Sequence, residues 1–171
     1  MELRIAQTSD VASIQSIYAH HVRHGLGTFE TEPPGADEMG MRHAQITAAG
    51  FPYLVAVEGG LVLGYAYANH FRTRAAYRYT VEDSVYVAPD AVGRGVGRAL
   101  LNELVAQCRS RGLQQMLAII GDSGNAASVG VHRACGFELV GVMKSVGRKF
   151  DRWVDVVIMQ RALAPAAGAA Q

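Results

Sequence analysis

The sequence predicts an α/β (α+β) fold, a central sheet flanked by about four helices. Short apolar runs of strand period alternate with longer runs of helical period, and glycine, proline and cap-forming residues punctuate them. Near the middle, over Glu82–Cys108, a strand, a glycine-rich turn and an apolar helix follow one another without a break. At 171 residues the chain is one domain of ordinary size, long enough for a true core.

In chain order, Leu3 and Ile5 alternate with polar neighbours in a short first strand. Thr8, Ser9 and Asp10 are cap-forming residues ahead of a helix with the apolar face Val11, Ile14, Ile17, Tyr18 and Val22. It ends in a histidine-rich turn, His20, His21 and His24, with no fourth ligand at metal-binding spacing, so no metal is expected. Gly25 to Pro34 is a loop, in which Phe29 either anchors the loop on the core or lines a pocket. A second helix runs from Asp37 to Ala49. Tyr53 to Val57 and Leu61 to Asn69 form a hairpin through Glu58-Gly59-Gly60. The connection that follows holds Arg72, Arg74, Ala75, Ala76, Tyr77, Arg78 and Tyr79. Such a density of arginine and tyrosine suits a carboxylate held between rigid walls, the alternative being a solvated or partner-facing loop.

Thr80 to Val87 is the next strand, and the glycine turn leads into a helix with Leu100, Leu101, Leu104, Val105 and Cys108 inward. Gln115 to Ile120 reads as a buried strand. Asp122 to Asn125 cap a short helix bearing Val129, Val131, His132 and Cys135, which Gly136-Phe137 closes. Phe137–Val146 and Trp153–Gln160 are the last strands, separated by Gly147, Arg148, Lys149 and Phe150. From Ala162 on, the alanine, proline and glycine have no core to join; the domain is taken as 1–163, with 164–171 expected to be a disordered tail.

Composition narrows the function classes. Half the residues are apolar, 18% are charged and the net charge is +1, so no bulk field favours nucleic acid or an anionic membrane. No apolar run approaches the ~20 residues of a membrane span, and Met1–Gln7 is not a signal peptide. Cys108 and Cys135 lack metal or redox spacing and are expected to be reduced, buried thiols of a cytoplasmic protein.

The glycine turn is the chemical signal. Gly93, Arg94, Gly95, Val96, Gly97 and Arg98 lie between a strand end and a helix start, where glycines admit a phosphate and unpaired helix N–H groups face it. A nucleotide P-loop needs Gly-Lys-Ser/Thr, and Gly97-Arg98-Ala99 fails that test. The dinucleotide fingerprint fails on spacing and on its place past mid-chain.

Val85-Tyr86-Val87 followed by Pro89 and Gly93-Arg94-Gly95-Val96-Gly97-Arg98 resembles the acyl-CoA motif of the GNAT superfamily of N-acetyltransferases. Val92 departs from its usual leading glutamine or arginine. Asn125 with Cys135-Gly136-Phe137 resembles the superfamily's second CoA-side motif, and the element order matches from Leu3 to Leu163. The stretches Gly27–Pro33, Tyr79–Val87, Ile119–Gly121 with Asn125, Ser128 and His132, and Gly147–Lys149 with Trp153 and Asp155 are similar to the phosphinothricin and methionine sulfoximine N-acetyltransferases. The resemblance implies the GNAT fold, a mixed sheet splayed at the strand ending Val87, and acetyl-CoA as co-substrate with no metal. It also implies a small amino-acid-like acceptor and a homodimer.

It further implies roles. Glu82 is the base that frees the acceptor amine, while Asp83 points to the other side of the strand. The backbone N–H of Val87 polarises the thioester oxygen; Val85, Tyr86 and Val87 pair with the pantetheine arm; Gly93–Arg98 hold the pyrophosphate, and Asn125 and Ser128 the far side of the arm. His132 replaces the tyrosine that many members use to protonate the thiolate, and is either that donor or a packing residue. Phe29, Arg72, Arg74, Ala75, Ala76, Tyr77 and Tyr79, then Lys149 and Trp153, are the acceptor-side candidates. Alternatives are a polyamine, an aminoglycoside or a protein amino terminus as acceptor, or an acyl-CoA sensor without catalysis. Arg72 and Arg74 repel a polycation, and retention of Glu82 and His132 disfavours the sensor.

Overall fold

The computed structural model describes residues 1–163. Seven strands form one sheet: β1 (Glu2–Ile5), β2 (Tyr53–Glu58), β3 (Leu61–His70), β4 (Thr80–Val87), β5 (Gln115–Gly121), β6 (Glu138–Lys149) and β7 (Arg152–Ala162). Their order across the sheet is β1-β2-β3-β4-β5-β7-β6. Helices α1 (Val11–His24) and α2 (Ala36–Ala48) pack on one face, and α3 (Val96–Ser110) and α4 (Ala126–Ala134) on the other. The apolar stripes read from the sequence are the buried ones: Ile14, Ile17, Tyr18 and Val22 on α1, and Leu100, Leu101, Leu104, Val105 and Cys108 on α3. No helix among the described residues is long and apolar enough to cross a membrane.

Every neighbouring pair of strands is antiparallel except β4 with β5, which is parallel. That parallel ladder is short, joining Thr80–Asp83 to Gln115–Ala118 and then stopping. Beyond it β4 keeps its pairing with β3 to Val87, while β5 keeps its pairing with β7 to Gly121. The two central strands therefore part like a V, the splay expected of the strand ending at Val87.

Two readings need correction. The last hairpin is longer than its sequence suggests: β6 continues through Gly147, Arg148 and Lys149, and only Phe150 and Asp151 turn, at φ +49° and +57°. Such a two-residue turn ordinarily carries Asn-Gly or Asp-Gly, and Phe-Asp, with its aspartate second and no glycine, is a weaker turn signal than the nearby Gly147. The end of the domain is also not free of the core from Ala162. Ala162 pairs with Gln115, Leu163 is fully buried, its N–H donates to the Gln114 carbonyl at 2.9 Å, and its own carbonyl accepts from Arg109. The expected disordered tail, 164–171, lies outside the described residues.

The loop after α1 is laid against the tip of β5. A Cβ on Gly121 would stand 2.2 Å from the carbonyl oxygen of Leu26, closer than any side chain tolerates. Gly121→Ala is expected to cost about 1–3 kcal/mol through overpacking against backbone, a fall in Tm of roughly 3–10 °C. Thermal melting reads it, and an unchanged Tm refutes the contact.

Candidate active site

The V between β4 and β5 opens a cavity of about 720 Å³. Ser84–Val87 form one wall and Ala118–Gly121 the other; Gly27, Thr28 and Phe29 approach from the α1 side, and Asn125, Ser128 and His132 from α4. The glycine turn and the start of α3 close one end. Which backbone groups face the gap follows from β4's hydrogen bonding. Phe71 N–H donates to Thr80 O and Ala88 N–H to Leu63 O, so alternate residues Thr80, Glu82, Ser84, Tyr86 and Ala88 spend their backbone groups on β3. Asp83, Val85 and Val87 turn theirs the other way, and past Asp83 no strand is there to take them. The peptide groups of Val85 and Val87 thus form an open strand edge inside the cavity, whereas Tyr86 contributes its side chain and not its backbone.

One of those groups is taken. His21 Nε2–H donates to the Val87 carbonyl at 2.8 Å. Burial pushes the imidazole's pKa down, which suits a neutral ring carrying its hydrogen on Nε2. The Val87 carbonyl is thereby anchored toward α1 while its N–H stays free for a ligand. His21 was missed as a site residue, although its spacing from Ile17 and Tyr18 already put it on the apolar stripe of α1. Among the described residues no group of three histidine, cysteine or acidic side chains is arranged to hold a metal.

The turn has the geometry of an anion cradle. Gly93 and Gly95 take φ +81° and +78°, a left-handed conformation in which other residues are strained, and Gly95 is the N-cap of the 15-residue α3. Gly93, Gly95, Val96, Gly97 and Arg98 line the cavity. Arg94 does not; its guanidinium is paired with Glu58 on the surface. On the opposite wall Asn125 caps α4, its Oδ1 accepting from Ser128 N–H at 3.1 Å.

The side chains of β4 divide by face. Tyr86 packs edge-on against Tyr18 of α1 at 5.0 Å, so period two puts Glu82 on that face. Glu82 is half-buried and lines the cavity; burial, then the neighbouring Asp83, raise its pKa above the ordinary carboxylate range. Asp83 points to the other face, where it is buried against His132, its Oδ2 2.9 Å from His132 Nε2. The other ring nitrogen, Nδ1, lies 2.7 Å from the Ser128 carbonyl. His132 is 5% exposed and both its nitrogens are engaged within the protein, so it forms part of the wall without presenting a free N–H.

The loop bearing Phe29 is fastened from below. Tyr18 OH stands 2.9 Å from both Thr28 Oγ1 and a Glu30 oxygen, Arg42 pairs with Glu30 at 2.6 Å, and Lys149 Nζ donates to the Thr28 carbonyl at 2.8 Å. Lys149 is buried and does not line the cavity. Phe29 does, its ring lying directly over Gly147 of β6, so it is both loop anchor and cavity wall. Arg72, Arg74, Ala75, Ala76, Tyr77 and Tyr79 lie outside, on the exposed β3–β4 connection, with Arg72 over the Phe71 ring at 5.1 Å. Trp153 is 65% exposed on the β6–β7 hairpin.

Comparison with known proteins agrees with this architecture. Residues 10–137 match the model of the acetyltransferase (GNAT) family. A phosphinothricin N-acetyltransferase of Alcaligenes faecalis is 56% identical over 161 residues, covering 94% of this chain and 82% of that protein. An L-methionine sulfoximine/L-methionine sulfone acetyltransferase of Salmonella typhimurium is 39% identical, covering 94% and 93%. The crystal structure of a GNAT superfamily phosphinothricin acetyltransferase from Sinorhizobium meliloti, in complex with AcCoA, superposes with a TM-score of 0.92 at 46% identity, covering 98% of this chain and 94% of that one.

Proposed function

The chain belongs to the acetyltransferase (GNAT) family and is an acetyl-CoA-dependent N-acetyltransferase; from that premise we propose that its acceptor is the α-amine of a small amino acid of the phosphinothricin and methionine sulfoximine kind. Acetyl-CoA binding rests on the open edge of β4, where the Val85 peptide and the Val87 N–H lead into the glycine turn at the head of α3, and the acceptor class rests on the likeness to the phosphinothricin and methionine sulfoximine acetyltransferases.

The edge accepts the pantetheine arm as an added strand, and the turn with Arg98 takes the pyrophosphate. Asn125 and Ser128 border the arm from α4. The acceptor enters from the face of Glu82 and Phe29. Near neutral pH its α-amine is protonated, and Glu82 takes that proton directly or through one water. A pKa above the ordinary carboxylate range makes Glu82 a better base than a free glutamate. The amine nitrogen then bonds to the thioester carbon, and the charge arriving on oxygen is met by the Val87 N–H, a fixed donor typically worth a few kcal/mol. The attacking nitrogen's second proton passes to water, and the intermediate collapses to the neutral amide with the C–S bond broken and its electron pair on sulfur, which leaves as CoA thiolate. Arg72 and Arg74, with Tyr77 and Tyr79, stand outside the cavity on the exposed β3–β4 connection, so within one chain their positive charge draws an acceptor carboxylate toward the site without holding it in the cavity. Lys149 acts on acceptor binding through Thr28, whose loop carries Phe29.

The protein works in the cytoplasm as a homodimer. What supports the dimer is an apolar surface on the edge strand and its hairpin: Leu139, Val140, Val142, Met143, Val146, Phe150 and Trp153 are all at least 39% exposed. An uncovered edge strand of this character invites pairing with a second chain.

Three measurements test these assignments. CoA thiol release is expected with phosphinothricin, methionine sulfoximine or a related amino acid and not with polyamines; acetyl-CoA binding without release for any amine refutes catalysis in favour of a sensor. Glu82→Gln is expected to lower kcat by about 10²-fold or more while leaving acetyl-CoA affinity intact. It is expected not to lower Tm: a carboxyl whose folded pKa lies above its unfolded value destabilises the fold once pH exceeds both, and glutamine removes that cost. Unchanged turnover rules out Glu82 as the base. Light scattering is expected to give twice the 18.3 kDa of one chain, and the mass of a single chain excludes the dimer.

A further inference from the structure

Glu82 and Asp83 are neighbours in sequence that stand on opposite faces of the sheet, and the reaction described above has so far used only one of them. Asp83 is 6% exposed, at a position of β4 that alternates with Val81, Val85 and Val87 toward α3 and α4. A carboxylate among valines is costly unless it is paired. One of its oxygens meets His132 Nε2 at 2.9 Å, while the other, Oδ1, is buried without a hydrogen-bond partner among the described residues. Both Asp83 and His132 line the cavity that receives acetyl-CoA. The ring is held from its far side too: the Ser128 carbonyl only accepts, so Nδ1 carries a hydrogen. With a carboxylate at Nε2, both ring nitrogens face acceptors, which is the pattern of an imidazolium.

We propose that Asp83 is a positioning residue for acetyl transfer: it keeps His132 charged and fixed on the cavity wall against which the CoA thiolate is released. The inference rests on the transfer reaction above. That reaction separates charge across the sheet, with the acceptor's proton going to Glu82 on one face and the negative sulfur appearing in the gap beside α4. A fixed cation on the α4 side stabilises the sulfur as the C–S bond breaks, and it does so without giving up either of its ring hydrogens. His132 therefore need not be the proton donor in order to assist departure; the thiolate can leave as the anion.

The surroundings of the ring support the charged state. Burial opposes it, but the hydrogen bond and charge of Asp83, with the Ser128 carbonyl, outweigh burial and raise the imidazole's pKa. The other titratable groups around the pair are few. Glu82 lies beside Asp83 on the opposite face, and Arg98 lines the cavity from α3. Cys108 of α3 and Cys135 at the end of α4 close the back; burial raises both thiols, Cys108 to about 12, so they stay neutral. Arg161 lies beyond Cys135, donating to its carbonyl. The Phe137 ring meets His132 edge-on at 5.1 Å and adds no charge.

The test has one arm that needs no variant. The ring ¹⁵N signals of His132 in the wild-type protein are expected to be those of an imidazolium at neutral pH; signals of a neutral ring overturn the proposal. In the second arm, Asp83→Asn keeps a hydrogen-bonding partner for Nε2 but removes the charge. The alkaline limb of its kcat–pH profile is expected to move to lower pH, with kcat near neutral pH down ~10-fold or more and KM for acetyl-CoA within about twofold of wild type. A profile superimposable on that of wild type, or a loss confined to KM, also overturns it. Failure of the transfer reading looks different, because wild-type protein then releases no CoA with any acceptor while the ring signals remain readable.

Discussion

The parting of β4 from β5 is the constraint on which the rest depends. A parallel pair at the centre of a sheet ordinarily pairs along its length, yet here it is held for four residue pairs and then abandoned. Neither strand is left without a partner, since β3 retains β4 and β7 retains β5 to their ends. Of the backbone groups facing the gap past Asp83, the Val87 carbonyl is taken by His21, and the others find no strand partner among the described residues. Unpaired peptide groups inside a protein are costly unless water or a ligand takes them, so the fold leaves an edge suited to an extended, amide-bearing ligand such as the cofactor arm proposed above.

Chemistry is then apportioned by the two-residue period of β4. Even-numbered side chains from Glu82 to Tyr86 face α1 and the fastened loop; odd-numbered ones from Asp83 to Val87 face α3 and α4. Glu82, the proposed base, and Asp83 with its partner His132 thus lie on opposite faces and never meet across the strand. The loop carrying Phe29 is held to the same frame by Tyr18, Glu30, Arg42 and Lys149, so that side of the cavity is set by buried and half-buried polar contacts and not by loop sequence alone.

What the sequence made legible was local. The strand–turn–helix at the centre is one continuous stretch, its glycines mark their own conformation, and the helical stripes of α1 and α3 appear as written. The splay was legible only through family resemblance, because nothing within Glu82–Val87 says where its neighbour will let go. His21 and Asp83 stayed hidden because their partners lie 66 and 49 residues away. In retrospect each left a trace: a histidine on an apolar helical stripe, and an aspartate in an alternation of valines. The β6–β7 turn left only a faint one, since Asp151 tolerates positive φ but Phe150 does not advertise it.

The two cysteines, inert in the reaction, matter at the bench. Cys108 is fully shielded and Cys135 nearly so, and burial holds both as protonated thiols, the form that does not attack disulfide reagents. A colorimetric thiol reagent added to the folded enzyme therefore records the coenzyme's sulfur against a nearly silent protein background. Once the fold opens, the same two sulfurs become reactive, and an unmasked thiol signal in the blank turns into a built-in gauge of how much of the sample has unfolded.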